Sequence, residues 1–546
     1  MAANLFPLDQ TFNLSSLPTA SKTIYLDFTG HRTVGTDWNT LESDSSIVCM
    51  RYTDDAALPI PDFTFNPSEL GTIQQVWAAV AEDWAPFQIN VTTKEPPVSD
   101  LVKSSATDQR WGIRAVVSDA EFGPDENPAA PAAGVAFLDS FNNEMRAFDT
   151  PIFVNVDGYA TLPLAIATCV THEVGHAMGL EHHGGSSTGT PLVPPTGGNL
   201  LSEYYFGHGT GAMSWNALMG GLSTSSITQW SHGEYAGASR PWQDDLALII
   251  KAANGFTYRT DDTPNTMVRA KSLARVSGQV AQTASGLIER NTDADMYVFQ
   301  VANGSVALDV QPLNLIRNAT GSTSFPGANL DVGFTLYAFD GRVVATVEPQ
   351  NQLNASLQTT LSAGKYYMKV YGTGNADPAI DGYSNYGSLG RYSISVTDSR
   401  PKPSLPSVTV AGPVAAVREG AAAIFTITVS GAVTTSMRIG YRTVAGTAQP
   451  VKDYIAQTGY VTFTPGGVRT VSVAVRTIDD TIAEGNETFM LELFNVPAGA
   501  TALAGSAPAT IQFNDGGSPI ASGLQAAFAS MASPSAGTKF GRPRIA

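Results

Sequence analysis

A chain of 546 residues with a formal net charge of −17 is too long for one hydrophobic core; about three domains is the natural expectation. The charge excludes the basic face that nucleic-acid binding requires, and no run of about 18 apolar residues stands ready to span a membrane. Only 14% of residues are charged, alongside 51 Gly and 33 Pro, a balance that suits a β-rich extracellular protein better than a helical cytosolic one. The opening residues, Met-Ala-Ala-Asn-Leu-Phe-Pro-Leu-Asp-Gln, lack the basic and apolar regions of a secretory signal, so a leader is expected to have been removed.

In chain order, residues 23–28 read as an opening strand. Ile73, Val76, Trp77, Val80 and Trp84 recur at helical spacing over 68–84. Residues 89–93, 112–117 and 152–156 read as further strands, and 134–138 as an edge strand able to pair with an extended peptide, or as an interior strand without that role. Two cysteines, Cys49 and Cys169, allow one disulfide or two buried thiols. The apolar run 164–170 then leads into His172-Glu173-Val174-Gly175-His176-Ala177-Met178-Gly179-Leu180-Glu181-His182.

On a helix, His172 and His176 are four residues apart and share a face. Gly179 can adopt the positive φ that turns the chain out of the helix and brings His182 back as a third ligand. Three protein ligands with an open position is the arrangement of a catalytic zinc, and Glu173 is placed to act as general base. With only seven histidines in the chain, these offsets are hard to meet by accident. His183 is read as a supporting or exposed side chain. The loop 184–199, rich in Gly, Ser, Thr and Pro, suits an active-site rim.

The extended motif resembles the metzincin clan of zinc endopeptidases. The resemblance implies a methionine turn beneath one catalytic Zn2+. Met219, in Trp215-Asn216-Ala217-Leu218-Met219-Gly220-Gly221, is placed there, with Met213 as the alternative and ordinary core filling as the plainer reading. It also implies a closing helix, expected over 242–253. Some metzincins carry a tyrosine two residues after that methionine; here the position is Gly221, so no such tyrosine is assigned.

From about residue 261 the pattern is strands only: 296–301, 305–310, 332–339, 365–371 and 391–396. This run, 261–398, resembles the pre-peptidase C-terminal module of secreted bacterial peptidases and implies a β-sandwich. Asp261, Asp262, Asp293 and Asp295 read as solvated turn residues or, alternatively, as calcium ligands. A Pro-rich linker, 399–407, leads to 408–516. That segment resembles the Calx-beta domain through Arg418-Glu419-Gly420, Asp453-Tyr454, Ile478-Asp479-Asp480 and Glu484-Gly485-Asn486-Glu487. The resemblance implies Ca2+ at Glu419, Asp453, Asp479, Asp480, Glu484, Glu487 and Asp515. An Ala/Ser-rich tail, 517–546, has no readable role.

The expected fold is therefore multidomain: an α+β metzincin-like zinc peptidase domain over 1–260 followed by two all-β sandwiches. The expected function is a secreted zinc endopeptidase acting on protein or peptide substrates, with calcium-binding accessory sandwiches that offer cell-surface or matrix contact. Hydrolysis of another amide or ester would use the same chemistry. The alternative is a calcium-dependent adhesion or surface-binding protein with a non-catalytic peptidase-like domain.

Overall fold

The computed structural model describes residues 5–54, 64–118, 132–143, 150–185, 203–222, 224–240, 242–275, 281–313, 327–398, 406–497 and 500–515. The rim loop beyond Gly185, most of the Pro-rich linker and the tail lie outside them. The chain is mostly β, in two compact units that divide near residue 401.

The first unit begins with a five-stranded sheet in the order Asn90–Thr92, Lys22–Asp27, Trp111–Ser118, Ile152–Asn155, Gly134–Val135. The first four strands are parallel, and Gly134–Val135 runs antiparallel at the edge. Lys22–Asp27 and Trp111–Ser118 are buried at every position, as strands covered on both faces must be. The expected strands are all present with small shifts of bounds; the edge strand stops at Val135 rather than reaching Leu138.

Among the described residues, four α-helices accompany the sheet: α1 (Asp37–Leu41), α2 (Pro67–Asp83), α3 (Pro163–Ala177) and α4 (Asp245–Ile249). The start of α2 follows from its sequence. Pro67 takes the first turn, Asn66 accepts from Ser68 N and Glu69 N, and Glu69 accepts from Asn66 N at 2.7 Å. α3 also opens on a proline, and α2 packs against it. The helix expected over 242–253 is shorter. Asp244 caps α4, which ends at Ile249, and Gly255 at φ 73° closes a final 3-10 turn.

Residues 271–398 form two five-stranded sheets. The strands Asp295–Val301, Gly304–Pro312, Val332–Ala338, Gly364–Gly372 and Gly390–Asp398 match expectation, and Gln282–Ile288, Val343–Val347 and Ala355–Leu361 are additional. This part shares its interior with the first: one cluster of buried apolar side chains includes Ile24, Val80 and Val170 as well as Tyr297, Leu330 and Val396. Polar contacts reinforce the joint at the end of α2. Asp83 accepts from Thr171 Oγ1 of α3 (2.6 Å) and from Asn329 Nδ2 (2.8 Å). Glu82 pairs with Arg391 at 2.9 Å.

The second unit is also a pair of sheets, four strands (Thr470–Arg476, Ala422–Ser430, Ser407–Ala411, Thr501–Ala504) and five (Val417–Arg418, Ser506–Gln512, Glu487–Phe494, Met437–Ala445, Thr458–Phe463). Its separate core holds Phe425, Phe489 and Tyr454. Both cysteines are buried free thiols, so no disulfide joins Cys49 to Cys169. No described helix is long and apolar enough to cross a membrane.

Candidate metal centre

α3 carries His172 and His176 on one face and ends at Ala177. Gly179 then takes φ 99°, and Leu180 N returns to Gly175 O at 3.0 Å. This left-handed exit turns His182 back toward the helix. The ring centroids of His172, His176 and His182 lie 4.6–5.1 Å apart. Each ring offers a nitrogen, and the three fall within 4.8 Å of one another.

The other nitrogens are committed. His172 Nδ1 donates to Leu218 O (3.0 Å), His176 Nδ1 to Leu180 O (2.7 Å) and His182 Nδ1 to the Glu203 carboxylate (2.9 Å). Such contacts fix the tautomer and leave Nε2 as the lone-pair nitrogen of each ring. Burial also disfavours the charged imidazoles. It holds His172 well below the usual histidine range and His176 down to about 4, each further opposed by a neighbouring histidine. His176 Nε2 and His182 Nε2 stand 2.9 Å apart, a separation two lone pairs tolerate only with a proton or a cation joining them. Three neutral imidazole nitrogens aimed at one point suit Zn2+.

Glu173 is the next residue on α3, almost wholly buried, and burial pushes its carboxyl up to about 8. The edge strand passes directly over it: a Cβ on Gly134 would lie 2.6 Å from Glu173 Oε1. A cavity of about 270 Å³ opens beside the carboxylate and His172, walled by Gly134, Thr168, Cys169, Tyr204 and Phe206.

Met219 is fully buried beneath α3, and a Cβ on Gly175 would run into its Sδ. Leu218 O holds His172, and Met219 O accepts from His183 N at 2.7 Å. The turn therefore supports one histidine of the trio directly. Met213 sits instead in a 3-10 turn, half-buried against the cluster of Tyr205, Trp215 and Tyr235.

Two side chains, Glu203 and Tyr204, escaped the sequence reading, and for His183 the structure decides between the two roles left open. His183, left there as supporting or exposed, is fully buried and pairs with Asp245 at 3.0 Å. Glu203 orients His182. Tyr204 lies over His182 with centroids 4.2 Å apart, and burial pushes its phenol up to about 12. A tyrosine was sought at 221, but a Cβ on Gly221 would strike the Phe206 ring. The aromatic arrives from upstream, and Glu203-Tyr204-Tyr205 was the only local signal for it.

In the second unit, Asp453, Glu484 and Glu487 bring carboxylate oxygens within 4.8 Å. Burial and Asp453 push Glu487 up to about 7. Glu419 faces Asp515, Asp480 and Glu484, and burial raises its carboxyl too. Asn514 Nδ2 donates to Asp479 Oδ1 at 2.9 Å. Of the predicted acids, Asp453, Glu484 and Glu487 converge on one point, Glu419, Asp480 and Asp515 lie within electrostatic reach of one another, and Asp479 is engaged by Asn514.

Residues 404–517 match the Calx-beta domain family. This stretch is a Calx-beta domain. The carboxylates of its loops are hard oxygen ligands of the kind that Ca2+ takes. Among solved structures, the chain is similar to the apo-form Calx CBD1 domain: 24% identity over 20% of this chain and 100% of that one, TM-score 0.19. It is similar to CBD12 of CALX1.2 at 24% identity, over 20% of this chain and 46% of that one, TM-score 0.19. A pre-peptidase C-terminal domain of a Bacillus anthracis collagenase is similar at 18% identity, over 23% and 96%, with TM-score 0.16. No curated protein matches the chain.

Proposed function

We propose that the first unit is a metzincin-like zinc endopeptidase, exported from the cell, with the Calx-beta domain as a calcium-binding accessory. The observation that carries this reading is the convergence of three Nε2 atoms beside the buried Glu173 and a cavity under a sheet edge. His172, His176 and His182 would hold Zn2+, whose chemistry when bound is Lewis acidity toward a peptide carbonyl and toward water. The chain's own residues do the rest. Gly134–Val135 offers a strand edge on which an extended peptide can lie beside Glu173. Glu173, whose carboxyl a cation beside it would hold ionised against the effect of burial, takes a proton from the attacking water and returns it to the departing nitrogen. The phenol of Tyr204 lines the same cavity and is kept protonated, a donor beside the reacting carbonyl.

The test is Glu173→Gln. Zinc content by elemental analysis should match wild type, while hydrolysis of a denatured-protein substrate falls by about 1000-fold or more. Retained hydrolysis would falsify the role of Glu173. A second reading, a calcium-dependent surface-binding protein, is favoured by the Calx-beta match alone. It requires that wild-type protein with full zinc occupancy cleave nothing in a peptide library while binding a surface only when Ca2+ is present.

A further inference from the structure

The two loops that bring Asp453, Glu484 and Glu487 together in the Calx-beta domain arrange their side chains against the usual order. The acids are half-buried, while the apolar residues beside them stand in solvent. Val451, two positions before Asp453, is 83% exposed, and Ile482, two before Glu484, is 58% exposed. Pro450 and Ala483 flank them and are exposed as well. A loop that only needed to stay hydrated would turn its carboxylates outward and tuck its branched aliphatic residues in.

Val451 is also held in an unusual backbone state. Its φ is 73°, and among the described residues it is the one β-branched side chain in the left-handed region, where branching at Cβ is strained. The turn is closed around it. Val451 N donates to Tyr454 O (2.9 Å), Asp453 N to Gln449 O (3.0 Å) and Gln449 N to Asp453 Oδ2 (2.6 Å). On the other loop, Ile482 N donates to Asp480 Oδ1 at 2.7 Å. Each apolar tip is therefore tied to one of the acids expected to hold a cation. Backbone strain that persists in a native fold gathers at sites with a task.

We propose that Val451 and Ile482 are membrane-docking residues: with Ca2+ held by Asp453, Glu484 and Glu487, the two loop tips enter the interface of a phospholipid bilayer that carries anionic headgroups. The inference rests on the calcium reading of this domain and is independent of the peptidase reading. Without a cation, the clustered carboxylates repel an anionic surface. A bound ion offsets most of that charge. It also keeps positions for lipid phosphate, because the three acids supply one converging oxygen each, fewer than the roughly six to eight that Ca2+ takes. Lys452, between Val451 and Asp453, is exposed and has no acid partner among the described residues, so it adds a charge suited to the headgroup layer. Residues 449–452 and 481–483 carry no aromatic and no arginine, the anchors that dominate protein interfaces. Aliphatic points set among charge are what a binder of the lipid interface presents.

The experiment is co-sedimentation of the full chain with vesicles of phosphatidylcholine and phosphatidylserine in equal parts, in Ca2+ and in EGTA, beside calorimetric titration with Ca2+ alone. Wild type should sediment with the vesicles only in Ca2+. Val451→Asn/Ile482→Ser should take up Ca2+ as wild type does and partition onto vesicles about ten-fold or more weakly. Asparagine tolerates positive φ, so the turn at 451 should lose no thermal stability. Glu484→Gln/Glu487→Gln should bind fewer ions and lose the vesicles with them. Three results each overturn the docking proposal and leave the calcium reading standing: Ca2+ uptake by wild type without vesicle binding, undiminished vesicle binding by Val451→Asn/Ile482→Ser, and Ca2+-dependent retention on immobilised protein or glycan alone. Absence of Ca2+ uptake in wild type overturns both.

Discussion

His183 follows the third histidine of the trio, yet its ring is committed elsewhere. Its Nε2 meets Asp245 Oδ1 in a site closed to solvent, and Asp245 also accepts from Ser231 N (2.9 Å) and Gln243 Nε2 (3.0 Å). Gln243 in turn grips Glu181 N and O at 3.0 and 2.7 Å. The backbone on both sides of His182 is thus positioned by α4 and the turn before it. Asp245→Ala strips three donors of their acceptor and should cost about 2–4 kcal/mol of stability, read by chemical denaturation. On the proposed zinc reading, retention of added Zn2+ on dialysis should fall with it, because His182 loses its backbone anchor. The trio itself was legible in the sequence, since helical periodicity and a glycine turn are local rules acting over eleven residues. Asp245, Glu203 and Tyr204 were not, because their meeting with the histidines depends on how distant segments return.

At the scale of elements, α3 works as a platform only because Gly175 keeps its underside bare. Met219 Sδ fills the space a side chain at 175 would need. Gly175→Ala should therefore push the methionine turn away from α3 at a cost of about 1–3 kcal/mol. Leu218 O, the acceptor for His172 Nδ1, moves with that turn. Lower Tm is the expected outcome, together with, on the proposed zinc reading, faster release of added Zn2+; unchanged release would show that the turn does not carry His172. The strands of the first sheet were readable from dense apolar runs. Ala355–Leu361 escaped because Ser356, Gln358 and Thr360 face solvent on alternate positions and leave few apolar residues to mark a strand. The closing helix was overestimated because an apolar run such as 246–250 fits a longer helix equally well.

At the scale of the molecule, the joint around Asp83 matters most. Burial pushes this carboxyl up to about 7, against an ordinary value of 3.8. The folded state then holds a proton that the unfolded state releases, so stability falls as pH rises from about 4 to 7. Asp331 and Asp295, raised to about 7 and about 8, carry the same sign. Asp83→Asn should flatten part of that slope, measured as the difference between denaturation midpoints at the two ends of the window. Removing residues beyond 260 should leave the remainder insoluble or unfolded. It strips Asn329 and Arg391 from α2 and uncovers interior residues such as Leu164 and Trp230. The boundary placed near 261 marks a change of pattern in the sequence, while the two sides of it share one interior. Composition cannot reveal such sharing, because each side looks self-sufficient in its own periodicity.

Thr171, one position before the first histidine of the trio, leans through Asp83 on an asparagine 158 positions further along the chain. Anyone wishing to transplant the part that carries the histidine trio onto a different carrier would have to move the neighbouring pair of sheets with it. Recombination that separated the two would strand an acid in the interior, so they are expected to travel through evolution as a single cassette.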